Sequence, residues 1–243
     1  MADKQVTAGT TEATDVIEKA RGFWTKYSKK IIIAGSALIV LMSAYLGYKY
    51  FYKIPNEEKA SELIFPAEKL FDKMSTSSSY NKDTVNIVMN GGNLGGQAVT
   101  GILKIISNYG GTQTGNRARY IAGTCYLQLK EYDKAIKQLK EFDANGANQV
   151  ESKAYLMLGY AYSELKKKDD AYSYFKKAAN VDTEDEGMTS EALYVAARYA
   201  NEAMGKPKEA IELFQKLKDE YPLTPKVQSG EVDKFLGKLG VTQ

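Results

Sequence analysis

The chain has 243 residues, of which 44% are hydrophobic and 26% are charged, a composition typical of a globular protein. It contains no histidine, which excludes most zinc sites, imidazole acid–base catalysis and the usual catalytic triads. Its single cysteine, Cys125, excludes an internal disulfide and a metal site with several thiolates. The composition therefore argues against the common enzyme chemistries more clearly than it argues for any activity, and it predicts neither a catalytic residue nor a cofactor.

The formal net charge of +3 is unevenly distributed along the chain. Residues 1–30 hold six Lys or Arg and four acidic residues, and residues 31–53 hold two Lys and no acid. The 25 basic and 26 acidic side chains of the remaining sequence nearly cancel. Because they leave no basic cluster to pair with phosphates, nucleic-acid binding is not expected.

Residues 31–52 form an apolar run with one charge, Lys49, near its end. As a helix, these 22 residues would extend about 33 Å, enough to cross the hydrocarbon core of a bilayer. Aromatic residues, which favour membrane interfaces, cluster at both ends of the run: Phe23, Trp24, Tyr27, Tyr45, Tyr48, Tyr50, Phe51 and Tyr52. The run predicts an uncleaved transmembrane helix, since it is longer than the apolar part of a signal peptide and no convincing cleavage site follows it.

The flanking charges predict the orientation of this helix. Five Lys or Arg lie within 15 residues before the span, and three lie in it or just after it. The positive-inside bias then places residues 1–30 in the cytoplasm and residues 53–243 on the far side, which in a bacterium is the periplasm. Apolar residues of the N-terminal arm recur at helical spacing, so this amphipathic arm either contacts the bilayer or a partner, or simply extends the transmembrane helix.

Small residues on one face of the span suggest contact with another membrane helix. Ser36, Ser43 and Gly47 share this face, and Ser43 and Gly47 have the four-residue spacing that lets two helices approach closely.

Three similar segments follow in the C-terminal half, Gly123 to Leu139, Gly159 to Phe175 and Arg198 to Phe214. In a gap-free alignment each begins at a small residue, except for Arg198, and has an alanine twelve residues later and Leu or Phe four residues after that. The pattern resembles the tetratricopeptide repeat, which implies stacked helix pairs with small residues at the close contacts.

We therefore predict an all-α fold in which a single N-terminal transmembrane helix is followed by a tetratricopeptide-repeat-like α-solenoid. The predicted repeats lie near residues 116–149, 152–185 and 191–224, with a capping helix over residues 225–239. Upstream, residues 57–74 and 97–109 are predicted as helices and residues 74–84 as a loop. The glycine-rich residues 91–96 are predicted as a flexible connector, because the Gly-Lys-Ser/Thr of a phosphate-binding loop does not follow them.

A solenoid of this kind has a concave surface formed by the first helix of each pair. The side chains predicted to face this groove are Arg117, Tyr120, Lys153, Tyr160 and Tyr199. Tyrosine combines apolar area with a hydroxyl group, which suits binding of extended or partly folded protein segments, although some of these rings could instead pack within the solenoid.

The whole arrangement resembles the ancillary SecYEG translocon subunit family (YfgM-like), with its short cytosolic arm, aromatic and basic entry (here FWTKYSKK), single span and extracytoplasmic repeats. Residues 105–136, IISNYGGTQTGNRARYIAGTCYLQLKEYDKAI, are especially similar to the version found in Bacteroidetes. The resemblance implies a non-enzymatic, single-pass protein of the bacterial inner membrane, beside the Sec channel. It further implies cooperation with a membrane-anchored periplasmic prolyl-isomerase-like chaperone on emerging secreted or outer-membrane proteins.

Two other classes share this architecture. One is a tetratricopeptide scaffold of another cell-envelope complex, for secretion, motility or division. The other is an organellar import receptor with cytosolic repeats. Receptors that dock chaperone tails clamp a carboxylate with Lys and Asn, whereas the corresponding positions here are Tyr120, Leu156, Val195, Thr124, Tyr160 and Tyr199. The missing clamp argues against the receptor.

Overall fold

The computed structural model describes residues 8–76, 81–181 and 184–241, which fall into two compact units divided between Pro55 and Asn56. In the first unit, helix α1 spans Ala8–Tyr48, and a short π-helical segment, Lys49–Lys53, follows it. The same helix contains the arm and most of the predicted span, which favours the interpretation that the arm extends the transmembrane helix. Residues 1–7 of the arm lie outside the described residues.

Among the described residues, the chain has one helical stretch that is long and apolar enough to cross a membrane. Mean hydropathy reaches 2.0 over its most apolar 18 residues, and none of these is buried within the protein. A core helix would bury such residues, so their exposure is what a lipid-facing segment requires. On the predicted packing face, Ser43 is exposed and a side chain added at Gly47 would meet no atom within 4 Å, so helix packing there stays a prediction.

The second unit begins with a mixed subdomain that leads into the helix pairs. Its elements are α2 (Ile54–Thr76, whose first two residues belong to the first unit), α3 (Lys82–Asn90), β1 (Gly91–Leu94), β2 (Gln97–Thr100) and α4 (Ile102–Tyr109). Helix α3 overlaps the predicted loop over 74–84, of which residues 77–80 lie outside the described residues. Asn81 caps the start of this helix, because its side-chain oxygen accepts a hydrogen bond from the backbone N–H of Asp83 (2.8 Å).

The glycine-rich segment is a β-hairpin, so the predicted flexible connector and the predicted helical start at Gln97 are both wrong. Strands β1 and β2 pair antiparallel, with Gly91 opposite Thr100 and Leu94 opposite Gln97. Gly95 and Gly96 form the two-residue turn with φ of +59° and +84°, a conformation that favours glycine. Helix α4 begins only at Ile102, after the hairpin has closed.

Three antiparallel helix pairs follow: α5 (Gln113–Gln128) with α6 (Tyr132–Glu141), α7 (Asn148–Glu164) with α8 (Lys168–Asn180), and α9 (Glu186–Glu202) with α10 (Pro207–Glu220). Each pair packs on the next, and most of the buried side chains from α6 onward form one continuous core. The predicted all-α, solenoid-like fold is therefore confirmed, with the hairpin as an addition.

The third pair corrects the gap-free alignment. Three residues separate α5 from α6 and α7 from α8, whereas four separate α9 from α10. The extra residue in this turn shifts α9, so Ala197 takes the small position that the alignment assigns to Arg198. Ala197 is completely buried, while Arg198 lies on the surface.

The predicted capping helix over 225–239 is divided into two short helices, α11 (Pro225–Gln228) and α12 (Glu231–Lys238). Gly230 separates them with a φ of +71°, which breaks the helical path. Val232 and Leu236 of α12 are buried against the core and close the end of the stack.

Candidate functional site

Glycine at two positions sets the spacing of the helices that carry the site. A Cβ atom added at Gly123 would lie 2.5 Å from the Cγ atom of Leu139, and one added at Gly159 would lie 2.4 Å from the Cε1 atom of Phe175. These distances are far below ordinary contact, so each pair closes tightly only because its first helix has no side chain there. The predicted close contacts between paired helices are thereby explained.

The first concave site, which we call the Tyr120 pocket, has a volume of about 550 Å³. Helices α2 and α5 and the segment after α6 form its walls. The lining residues used below are Glu68, Phe71, Asp72, Arg117, Tyr120, Ile121, Phe142 and Asp143. Aromatic and aliphatic side chains line it together with charged ones, as in many ligand-binding pockets.

Tyr120 and Arg117 occupy this pocket together, one turn apart on α5. The Tyr120 ring is half-buried and lies 5.3 Å from the Phe142 ring, centroid to centroid, at a tilt of 54°. Burial raises the pKa of the Tyr120 hydroxyl, so it is a neutral hydrogen-bonding group at physiological pH. The Arg117 guanidinium pairs with the Glu68 carboxylate at 3.4 Å.

The segment after α6 is held in place by Asn116. The Asn116 side chain donates to the Asp143 carbonyl (2.6 Å) and accepts from the Asp143 backbone N–H (2.9 Å). The Asp143 carboxylate in turn accepts from the backbone N–H of Asn145 (2.8 Å), and Asn145 and Gly146 turn the chain with positive φ. The wall of the pocket is thus preorganised, which reduces the entropic cost of binding.

The second site, the Tyr160 pocket, has a volume of about 400 Å³. Its lining residues include Tyr160, Phe175, Glu191, Arg198, Tyr199 and Lys226. Tyr160 is 46% exposed, and its ring meets the edge of the buried Phe175 ring at 5.2 Å. Tyr199 contacts the same ring at 5.0 Å, so each of these two tyrosines both packs on the core and lines the pocket.

The charges around the Tyr160 pocket are satisfied within the protein. Arg198 pairs with Glu202 at 2.9 Å, and Lys226 pairs with Glu191 at 3.6 Å. Burial raises the pKa of Tyr160, the Glu191 charge raises it further, and Arg198 opposes this. The Tyr160 pocket therefore presents an aromatic surface on which Arg198 and Lys226 are each paired with a carboxylate.

The structure divides the five groove residues predicted from the sequence. Arg117 and Tyr120 share one pocket, Tyr160 and Tyr199 share the other, and Lys153 is an exposed residue of α7 that lines neither. Sequence reasoning missed Asp72, Phe142 and Asp143, which reach the Tyr120 pocket from other elements. It also missed Arg198. An alignment that allowed one extra residue in the turn between α9 and α10 would have placed Arg198 on the surface.

The lone cysteine offers no reactive group to either pocket. Cys125 is fully buried in α5, and burial raises its thiol pKa to about 12. Across the described ranges, no group of three or more His, Cys, Asp or Glu side chains is arranged to hold a metal ion. The chemistry that these pockets supply is apolar contact, hydrogen bonding and charge, which are the means of binding.

Comparison with known proteins identifies the repeats. Family models described as tetratricopeptide repeat match residues 117–145, 152–185 and 191–224. Among solved structures, the chain is similar to the crystal structure of MamA protein, with 18% identity over 74% of this chain and 91% of that chain and a TM-score of 0.45. No curated protein matches the chain. The predicted tetratricopeptide repeats are thus confirmed, and the helix pairs form a protein-interaction scaffold.

Proposed function

We propose that this protein is a non-enzymatic accessory of the Sec translocon, anchored in the bacterial inner membrane by residues 31–52. Its repeats would bind chaperones or emerging secreted proteins in the periplasm. The observation that carries the partner-binding role is the pair of aromatic pockets on the repeat scaffold. Partly exposed tyrosines in preformed concave sites are the kind of anchors that dominate protein–protein contacts.

The anchor is supported by the unburied apolar residues of α1 and by the basic residues before the span. An apolar face of this length on the surface of a water-soluble protein would be costly, whereas a bilayer covers it. Greater positive charge on the N-terminal side favours a cytoplasmic N-terminus. The repeat unit would then face the periplasm.

The assignment to SecYEG rests on the resemblance of residues 105–136 and of the domain order to the ancillary subunit family. A division of labour follows from the two compact units. The membrane unit, which the experiment below exchanges as residues 1–53, would recruit the channel. The two pockets would bind a membrane-anchored prolyl-isomerase-like chaperone or secreted and outer-membrane proteins.

Crosslinking in intact membranes tests this division. Replacing Tyr120, Tyr160 and Tyr199 by Ala should preserve copurification with the channel and reduce crosslinks to periplasmic partners. A control replaces two other tyrosines, Tyr126 and Tyr132, which line neither pocket, by Ala and should leave the crosslinks unchanged. Exchanging residues 1–53 for an unrelated anchor should abolish channel association while the repeat unit stays folded by circular dichroism.

Two results would contradict the proposal. Copurification of the channel with the anchor-exchanged protein would make the repeats the docking surface. Recovery of a different envelope complex, with no Sec component, would assign the protein to a scaffold for secretion, motility or division.

A further inference from the structure

The Tyr120 pocket carries negative charge that the protein does not neutralise. Glu68 is paired with Arg117, but Asp72 and Asp143 also line the pocket. In the part of the chain that the structure describes, no Lys or Arg nitrogen lies within 4 Å of either of these two carboxylates. The Asp143 carboxylate accepts one backbone hydrogen bond, which orders it without cancelling its charge.

Aromatic rings line the same pocket as these carboxylates. Tyr120 and Phe142 are in contact and line the pocket together with Phe71. A cation placed over the face of such a ring is attracted by it, and the attraction grows when the site excludes water. Arginine and lysine also carry a long apolar stem, which would pack on Ile121 and the rings while the charged head reaches the carboxylates.

The contrast with the Tyr160 pocket shows that this charge is a property of one site. There, Arg198 and Lys226 each pair with a carboxylate, so an arriving cation would find no uncompensated charge. In the Tyr120 pocket, an acidic or phosphorylated segment would instead meet two uncompensated carboxylates and be repelled.

We propose that the Tyr120 pocket binds an arginine or lysine side chain of an extended polypeptide segment, through the carboxylates of Asp72 and Asp143 and the rings of Tyr120 and Phe142. This inference rests on the proposed function, because it assigns a ligand class to one of the pockets that would meet partner proteins. The scaffold would thereby select unfolded segments by positive charge rather than by apolar character alone.

Fluorescence anisotropy with the full chain in a neutral detergent tests the assignment. The probes are three fluorescein-labelled Gly/Ser-rich peptides that differ only in carrying Arg, Gln or Glu at the same positions. The Arg peptide should bind about tenfold more tightly than the Gln peptide, the Glu peptide should bind most weakly, and the preference should shrink at high salt.

Paired variants identify the pocket. Asp72→Asn with Asp143→Asn keeps the size of both side chains and should remove most of the preference for Arg. The control, Asp133→Asn with Asp219→Asn, removes the same charge from exposed positions that line neither pocket and should keep the preference. Urea midpoints of both double variants establish that each is folded.

Every other outcome overturns the assignment. Equal binding of the Arg and Gln peptides would refute selection by positive charge, and the proposed function would survive. Loss of the preference in both double variants would show that overall charge, not this pocket, selects the peptide. Binding of no peptide, with self-association of the chain, would assign the pocket to a second copy and remove the proposed function as well.

Discussion

A single methyl group at Gly159 should destabilise the repeat unit. The added Cβ atom of Gly159→Ala would lie 2.4 Å from Cε1, 2.5 Å from Cδ1 and 2.9 Å from Cζ of Phe175, where ordinary contacts begin near 3.4 Å. The ring must therefore retreat by about 1 Å in a close-packed interior. It has little room to do so, because it is 1% exposed and is in contact with the rings of Tyr160 and Tyr199.

The expected net effect combines two opposing terms. Overpacking of a core costs about 1–3 kcal/mol, whereas Gly→Ala within a helix contributes up to about 1 kcal/mol of stability. Since the clash involves three ring atoms, we expect the free energy of unfolding to fall by about 1–2 kcal/mol. Urea denaturation followed by the near-ultraviolet circular dichroism of the tyrosines measures this change.

Two further variants separate the clash from the change in helix propensity. Gly237→Ala in α12 places its Cβ where no atom lies within 4 Å, so it should leave stability unchanged or raise it slightly. The double variant Gly159→Ala with Phe175→Leu should lose less free energy of unfolding than the two single variants together, because the smaller leucine side chain leaves room for the added methyl group. A Gly159→Ala protein as stable as the parent would refute the close contact and the pairing of α7 with α8.

Three other predictions follow from single contacts. Glu57 accepts three hydrogen bonds from Gln113 and Thr114 at the start of α5, so Glu57→Ala should lower the free energy of unfolding by about 1–2 kcal/mol. Glu58→Ala, on the exposed side of the same helix, is the control. If Glu58→Ala lowers the stability in urea by the same amount, Glu57 does not stabilise α5 as a cap. The hydrogen bond from Tyr172 lowers the pKa of Glu209. The stability that this bond contributes is therefore present above the unfolded Glu pKa of about 4.3 and is lost as pH falls through the lower folded pKa. Tyr172→Phe should make the free energy of unfolding fall less steeply in that acidic range, and an unchanged pH profile would contradict the coupling. Cys125 should resist Ellman's reagent at neutral pH until urea unfolds the protein, and prompt labelling of the folded chain would show that α5 opens readily.

The sequence predicts the part of the Tyr120 pocket that follows helical periodicity. Arg117 and Tyr120 lie three residues apart on α5, so their shared face can be read from spacing alone. Asp72, Phe142 and Asp143 come from α2 and from the segment after α6, and no local pattern relates them to Tyr120. Only tertiary packing, of α2 beside the first repeat and of the segment after α6 against α5, brings these side chains into one pocket.

The position of the last repeat likewise cannot be read from the sequence alone, because the gap-free alignment is wrong there by one residue. The turn between α9 and α10 is longer by one residue than the other two, and Gly205 there takes the left-handed conformation that Lys130 and Lys166 take in the earlier turns. A gap-free alignment cannot place that insertion, because both Ala197 and Arg198 suit a helix. Burial decides between them, since the contact between helices admits a methyl group and not a guanidinium.

The sequence by itself determined the features that depend on neighbouring residues: the apolar run of α1, the periodic helices and the repeated small and aromatic positions. These are local because hydrophobic periodicity and backbone preference act over a few turns of chain. Tertiary structure alone decided how the groove residues divide between two pockets, which carboxylates stay unpaired, and where Gly230 interrupts the cap. Those outcomes depend on which distant segments pack together, and the free energy of that packing is shared among residues far apart in the chain.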